Sequence, residues 1–536
     1  VHDGASAGGT PLMKESGGGV NATINGVSVG KGANSVAGNT VLGESALDSG
    51  SLSGGNNTAI GKQALTALTS GSSNTSVGFD SLAATTTGSD NIGIGSKSLF
   101  TNSTGSNNVA IGVSALRNST GDDNTAIGRS ALFANTSGTS NVGLGKNVLA
   151  ANTTASNNTA VGNAALTANT TGTRNTAVGT NALDANTTGN DNIAIGVDTL
   201  GVNTTGQLNV AVGDFSLDAN TTGDANTAFG HGSLGANTTA NNNTAVGYHS
   251  LLSNTTGTEN VAVGTNALAN NTTASDNVAV GRGSLGTNTT GADNVAVGRS
   301  ALANNTTASN NTAVGKSALL VNTTGVNNVA VGSGALDANT TGANNTVVGY
   351  NSAGGLTTGN QNVFIGENCG IVATTGNTNT CCGRDSGGQL TTGSNNLLLG
   401  HDAGKSGSPL HVTSGSNNIV LGDNNITSAN VKVDWTVSSD QRDKTDIQDI
   451  TTGLDFVKQL KPKSFWFKKD RDSDVKHGDK KYGFLAQDIL ALEGSDPVVI
   501  NNKDEDSLKY QGSHLIPILV NAIKELSAKV TALEAG

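Results

Sequence analysis

The stretch SSDQRDKTDI, Ser438 to Ile447, combines side chains that could break a peptide bond. A serine hydroxyl is a weak nucleophile until a base removes its proton. A lysine amine can be that base when desolvation or a neighbouring cation lowers its pKa. The stretch contains a lysine, Lys444, and an arginine, Arg442, that could fill these two roles. Spacing alone does not separate this interpretation from a polar linker with solvated charges, so the surrounding elements must decide.

The chain before this stretch repeats with a period of 17 residues. An Asn opens an N-x-A-[VI]-G unit at every seventeenth residue from Asn141 to Asn396, and seven further copies bring the number to 23. Within a unit, T-A-V predicts a short strand with Thr and Val on one side and Ala on the other. A glycine then turns the chain, and NTTG closes the coil.

One coil has too few apolar side chains for a core of its own. We therefore expect neighbouring coils to stack and bury a row of Val and Leu, with equivalent Asn residues forming ladders. The composition agrees, since glycine is 74 of 536 residues and aromatics are only 3%. The predicted fold is mainly β, a parallel β-roll or β-solenoid of about 23 coils over residues 34–430.

A single thin stack of such coils would be marginal, so we expect three chains to pack together as a homotrimer. Residues 1–33 are predicted to be a flexible or attachment segment. Residues 431–438 are predicted to be a linker, and 439–536 a small α+β domain.

The composition also excludes several kinds of partner. The net charge of −11 lacks the basic signature of nucleic-acid binding. No run of 18 apolar residues exists, so we expect no membrane insertion, and residues 1–20 lack the pattern of a signal peptide. Cys381 and Cys382 replace Ala and Val of the repeat, and Cys369 lies nearby; we expect small buried hydrophobes, without a metal or a cofactor.

The last segment of the chain has the spacing of a coiled coil. Its apolar residues follow intervals of 3, 4, 3, 4 and 3 and form what we call the a/d row: Ile516, Leu519, Ile523, Leu526, Val530 and Leu533. This pattern predicts a helix over residues 515–534 that associates as a trimeric coiled coil. The alternative is a helix packed on its own domain.

Two resemblances sharpen these expectations. The NTAVG…AL…NTTG unit is similar to the head repeats of trimeric autotransporter adhesins of the YadA type, although those repeats are usually shorter. That resemblance covers about residues 34–430 and implies a trimeric β-roll. Residues 438–534 resemble the C-terminal intramolecular chaperone of phage tailspikes, tail fibres and endosialidases, through SSDQRDKTDI, YGFLAQDI and LKYQGSHLIPILVNAIKEL in that order.

The second resemblance implies a domain that trimerises, sets the register of the preceding shaft and often cuts itself free. The family's cut falls before the Ser of an S-D-x-R-x-K pattern. Here the resemblance implies that the Ser438–Ser439 bond is cleaved, with Ser439 and Lys444 as the catalytic pair and Asp440 and Arg442 assisting. This would be single-turnover autoproteolysis at most, and no enzyme that turns over a substrate is predicted.

The function expected from these features is a phage tail fibre or spike that attaches the virion to a host. Its partners would be a virion or baseplate protein at the N-terminus and a host cell-surface receptor, glycans included, with assembly in the host cytoplasm. The loop 401–417 is a candidate contact region. The alternative is a trimeric adhesin at a bacterial cell surface. Ice binding and polysaccharide cleavage are weaker hypotheses, the latter because the repeats show no aromatic-lined groove.

Overall fold

The computed structural model describes residues 14–15, 21–24, 26–432, 438–468, 474–502 and 508–536. They fall into two compact units, Val1–Asn362 and Val363–Gly536, which we describe separately. Most of the predicted N-terminal segment, and residues 433–437 of the predicted linker, lie outside the described residues.

The first unit is a stack of coils, each with one short strand. Its first three strands pair antiparallel and lead into the fourth, after which every described pairing is parallel. The strands are β1 Lys14–Glu15, β2 Asn21–Ile24, β3 Val27–Gly30, β4 Thr40–Gly43, β5 Thr58–Ile60, β6 Thr75–Val77, β7 Ile92–Ile94, β8 Val109–Ile111, β9 Thr125–Ile127, β10 Val142–Leu144, β11 Thr159–Val161, β12 Thr176–Val178, β13 Ile193–Ile195, β14 Val210–Val212, β15 Thr227–Phe229, β16 Thr244–Val246, β17 Val261–Val263, β18 Val278–Val280, β19 Val295–Val297, β20 Thr312–Val314, β21 Val329–Val331 and β22 Thr346–Val348.

The parallel register repeats the sequence period. Thr159 pairs with Thr176, and Ala160 with Ala177, so each residue lies against its counterpart 17 positions away. The glycine after each strand permits a close approach: Gly196 has φ 136°, and a Cβ there would lie 2.7 Å from the carbonyl carbon of Gly213. A side chain at this position would collide with the next coil, which explains the repeated glycine.

The core of the coils differs in one respect from the prediction. The strand alternates as expected, with the central Ala fully buried, and the following Leu is also fully buried, as at Ala177 and Leu183. The Val residues that flank this central position, however, lie on the outer face of the sheet, where Val178 is 36% exposed. The expected buried row of Val is therefore wrong, because alternation puts Val on the face opposite Ala.

Two asparagine ladders run through the stack, as the sequence predicts. In the first ladder, Asn243 donates its backbone N–H to Oδ1 of Asn226 (3.0 Å) and its side-chain amide to the Gly257 carbonyl (2.9 Å). The second ladder joins the NTT asparagines from Asn135 to Asn339. Position 356 carries Leu instead, and Oδ1 of Asn339 is buried without a hydrogen-bond partner at that end. Elsewhere the ladders satisfy polar groups that would otherwise be costly to bury.

The second unit contains four parallel strands of the repeat and a small mixed domain. The repeat strands are β23 Val363–Ile365, β24 Thr380–Cys382, β25 Leu397–Leu399 and β26 Ile419–Leu421. The domain follows with α1 Leu454–Val457, the hairpin strands β27 Lys463–Lys468 and β28 Lys476–Gly483, α2 Ala486–Glu493, β29 Ile500–Asn501, β30 Lys509–Tyr510 and α3 Gly512–Glu534. Its core joins α2, β29 and α3 through Ile489, Val499, Ile500, Leu515 and Ile518.

The three cysteines do not all behave as expected. Cys369 and Cys381 are buried, and a hydrogen bond with Cys369 together with burial raises the pKa of the Cys381 thiol above its usual range. Cys382 is exposed, since it occupies the outward position of Val in β24. The prediction of a buried hydrophobe is therefore wrong for Cys382, for the same reason as for Val.

The predicted fold class is confirmed, since the chain is mainly β and forms a β-solenoid with a 17-residue period. The turns number about 21, close to the expected 23 coils, and a small C-terminal domain ends in a helix. Within the described ranges, no helix is both long and apolar enough to cross a bilayer.

Candidate self-cleavage site

The predicted site residues lie around one tight turn. Asp440 caps a 3-10 turn, Gln441–Asp443, by accepting a hydrogen bond at Oδ1 from the backbone N–H of Arg442 (2.9 Å). Asp is favoured as an N-cap because its carboxylate accepts from free N–H groups at the start of a turn. The turn reverses the chain and returns Lys444 towards Ser439.

Ser439 and Lys444 are in direct contact. Nζ of Lys444 lies 2.7 Å from Oγ of Ser439 and 3.1 Å from the carbonyl oxygen of the same residue. This is within the distance over which a neutral lysine amine could take the serine proton. The predicted nucleophile and base are thus brought together by the local turn.

Arg442 is placed differently from the expected role. Its guanidinium forks onto Asp440, with Nη2 2.6 Å from Oδ2 and Nε 3.1 Å from Oδ1. The hydrogen bonds of this pair lower the pKa of the Asp440 carboxyl and raise that of Arg442. The arginine charge is therefore directed at Asp440 rather than at Lys444, and the two residues hold the shape of the turn.

One contact was missed from the sequence. Oγ of Ser438 lies 3.4 Å from Oδ2 of Asp443, on the other side of the bond predicted to be cut. The signal was present, since Asp443 follows Ser438 by five residues just as Lys444 follows Ser439. All residues from 438 to 444 are exposed in the single chain. The dyad has the right geometry, but lacks the burial that would disfavour a charged lysine.

Helix α3 has two apolar faces. Leu515, Ile518 and Ala522 are buried against the helix's own domain. The a/d row lies outside this contact, and its members are 37% to 82% exposed. The coiled-coil face and the domain-packing face, which the sequence posed as alternatives, are thus different faces of one helix.

The packed face also tethers the short helix α1. Glu525 accepts a hydrogen bond at Oε2 from the backbone N–H of Leu454, the first residue of α1 (2.8 Å). Asn521 donates to the carbonyl oxygen of Thr452 (3.1 Å) and to Oε1 of Glu525 (3.2 Å). These bonds satisfy the free end of α1 and fix α3 to the segment that follows the cleavage turn.

The candidate contact loop, residues 401–417, begins with a charged cluster. Ligand atoms of Asp385, His401 and Asp402 lie within 4.8 Å of one another. Lys405 contacts Asp402 (2.8 Å), and Arg384 contacts Asp385 (3.2 Å). Since two side-chain cations already balance these carboxylates, we interpret the cluster as an ion-pair network that anchors the loop.

Comparison with known proteins agrees with the second resemblance. Residues 439–495 match the family model described as the chaperone of endosialidase, and the match begins at Ser439. No curated protein and no solved structure gives a match. The C-terminal segment is therefore similar to an intramolecular chaperone, while no relative was found for the repeats.

Proposed function

We propose that the protein is the shaft of a phage tail fibre or spike, a homotrimer whose C-terminal domain nucleates assembly. The observation that carries this proposal is the exposed a/d row on a helix of a chaperone-like domain. Ile523 is 66% exposed and Leu533 82% exposed, and apolar side chains in heptad spacing are buried when helices associate. The match at 439–495 supports the same role.

The outer face of the shaft suits three-fold packing. In every repeat strand from β5 to β26 the two outward positions carry Thr, Val, Ile, Leu, Phe or Cys, and none carries a charge. This face is half-buried to exposed in the single chain. An uncharged sheet face within each unit is what a second layer of packing requires, because buried charges would be costly.

A chaperone would solve a problem that the repeats create. Successive coils present almost the same strand and the same Asn, so chains can pair one coil out of register at little cost. An aperiodic domain that trimerises first would fix the register before the coils zip together. This reasoning explains why a chain with so few aromatic residues places both of its tryptophans after the repeats.

We propose that the same domain then cleaves the Ser438–Ser439 bond once. Oγ of Ser439 would attack the carbonyl carbon of Ser438 while the neutral amine of Lys444 takes its proton. Breaking the C–N bond frees the amine of Ser439, which receives that proton, and water then hydrolyses the ester. The water supplies the hydroxyl of the new carboxyl group on Ser438 and the hydrogen restored to Ser439.

The exposure of the dyad in the single chain fits a requirement for assembly. A lysine amine is a base only where burial or a cation disfavours its charge. We propose that partner chains supply the burial, so that cleavage follows trimerisation and does not precede it. The released shaft would then act in the virion, after assembly in the host cytoplasm, with its N-terminal end on a virion or baseplate protein.

The proposal is tested by two measurements on the full chain. Light scattering of Ser439→Ala should give three times the 53.1 kDa chain mass. Intact-mass analysis of the unaltered protein should show a fragment ending at Ser438, which Ser439→Ala should lack. The matched control is Ser438→Ala, which keeps the nucleophile and should still be cut. A monomer would overturn the fibre proposal, whereas an uncut trimer would remove only the cleavage.

A further inference from the structure

Four rings lie together on three successive coils of the first unit, contrary to the expectation that the repeats have no aromatic-lined groove. His231 lies 5.7 Å from each of Phe215, Tyr248 and His249, measured between ring centroids. Tyr248 and His249 stack at 3.8 Å with an interplanar angle of 24°. Phe215 is 43% exposed and Tyr248 50% exposed, so these rings face solvent in the single chain. Such a concentration is conspicuous in a chain with only 3% aromatic residues.

The middle coil leaves a gap between these rings because it lacks two side chains. Gly232 occupies the position of Phe215 and His249 on the adjacent coils, and Gly235 occupies that of Asp218 and Leu252. The result is a groove of about 420 Å³, lined by three of the rings, Phe215, His231 and His249, and by these glycines. That volume is within the range of small-ligand sites.

The groove combines apolar faces with a few polar groups. The carboxylate of Asp218 lines it, and burial, with the nearby charge of Asp198, raises the pKa of Asp218. Ser253 and the two imidazoles add donors and acceptors. Neither lysine nor arginine is among the described residues that line the groove. An anionic ligand would therefore meet a carboxylate without a compensating cation.

We expect this edge of the coils to stay open if three chains pack as proposed. The position of His231 and Tyr248 carries Arg282, Arg299 and Lys316 on later coils. Basic side chains recurring at one position indicate a solvated edge, because packing them against another chain would bury their charges. The uncharged sheet face is the surface suited to packing, so the groove remains accessible.

We propose that this groove binds a neutral pyranose unit of a glycan, a hexose or an N-acetylhexosamine. The C–H face of the sugar would pack on the rings of Phe215 and His249, and its hydroxyls would donate to Asp218 and exchange hydrogen bonds with the imidazoles. The inference deepens the proposed function, on which it rests, by giving the host-attachment role a location and a ligand class.

The test uses the full chain with defined probes. Cellotetraose, maltotetraose and chitotetraose are titrated by calorimetry, with 3′-sialyllactose as the anionic comparison. We expect at least one neutral probe to bind. Phe215→Asn places the residue found at the equivalent Asn181 and Asn266 and should weaken binding about tenfold, the effect of losing one good ring contact.

A groove-filling pair provides the matched control. Gly235→Leu should abolish binding, because the new side chain fills the groove. The variant should still fold, since a leucine is already accommodated at the equivalent positions 252 and 320. Gly286→Leu makes the same change three coils away and should bind like the unaltered protein. No binding of any neutral probe, preference for sialyllactose, or equal effects of the two leucines would overturn the proposal. Light scattering of the same samples reports the trimer separately, so a failed titration leaves the fibre proposal standing.

Discussion

The coils of the first unit and helix α3 of the second differ in where their apolar side chains are buried. A coil buries its Ala, Leu and Asn against neighbours of the same chain, and its polar groups are satisfied by ladders. Helix α3 satisfies one face within its own domain and leaves a second apolar face exposed. Each coil satisfies its apolar and polar groups against neighbouring coils, but its repeated sequence does not fix the register. Helix α3, in contrast, leaves an apolar face exposed in the single chain.

The two regions therefore differ in what each can contribute to folding and association. Repetition gives the coils a continuous core, but it supplies no unique alignment between chains. Under the proposed function, the aperiodic domain would supply the alignment, and its exposed a/d row would be the surface that associates. Substitutions that affect only one of the two regions should therefore have different kinds of effect.

The largest effect should come from charging the a/d row. In a Ser439→Ala background, Ile523→Asp with Leu526→Asp should reduce the molar mass from three chains to a single 53.1 kDa chain, because carboxylates cannot be buried unpaired between helices. Light scattering measures the change. Ala528→Asp, on the exposed outer side of the same helix, should remain trimeric; a trimer in both variants would place the association elsewhere.

A smaller effect is expected inside the coils. Asn305→Ala removes the amide that contacts Asn288 (2.8 Å) and the Ala308 carbonyl (2.9 Å), and the acceptor for Asn322 (3.1 Å). Leaving such buried groups unpaired should lower the free energy of unfolding by about 2–3 kcal/mol. The measurement is a denaturant midpoint.

The neighbouring residue provides the control for that ladder substitution. Asn304→Ala makes the same change at an exposed position where other coils already carry Ala, and it should be nearly neutral. If both variants lost equal stability, the loss would come from replacing an asparagine in this turn and not from the ladder.

A third variant removes a cation held between two rings. The guanidinium carbon of Arg117 lies 5.7 Å from the centroid of Phe100 and 5.6 Å from that of Phe133, on the adjacent coils. Arg117→Ala should lower the free energy of unfolding by about 1 kcal/mol, the usual size of such contacts. Arg129→Ala removes an arginine that is not held between two rings in the described part of the chain. It should lower the free energy of unfolding by less in the same denaturation assay.

The smallest effect concerns half-buried carboxylates. Burial raises the pKa of Asp184 and of Asp337 above the ordinary value. A carboxyl group with a raised folded-state pKa is harder to ionise in the folded protein than in the unfolded chain. It therefore costs no stability below the unfolded pKa, near about 3.9, and the cost develops as pH rises through the folded pKa. Replacing both with Ala, the residue at equivalent position 303, should therefore stabilise the coils slightly at pH 7. Denaturation at pH 4 should show a smaller difference; a difference that grew on acidification would contradict this reasoning.

Much of the fold could be predicted because the period is explicit. The 17-residue spacing located each strand and ladder, and the heptad located helix α3. The burial of Val was wrong, since T-A-V alternation does not itself say which side faces the core. The central position faces the interior, where Val347 and Phe364 are buried as fully as Ala is elsewhere. The contact of Ser439 with Lys444 followed from a resemblance, but the Arg442–Asp440 pair depends on side-chain geometry that spacing does not encode. The aromatic groove was missed because its rings are far apart in sequence and meet only when coils stack.

The asparagine ladders have a consequence for how such a chain can change over generations. Each rung makes the same bonds to the rung before and after it, so deleting or duplicating one whole 17-residue unit leaves every neighbouring bond intact. Smaller changes are absorbed in the turns, since Asn57, Asn124 and Asn418 keep the ladder bond across steps of 18, 16 and 22 residues. Recombination between repeats can therefore change the length of the stack in steps of about 4.8 Å while the contacts between neighbouring coils are kept.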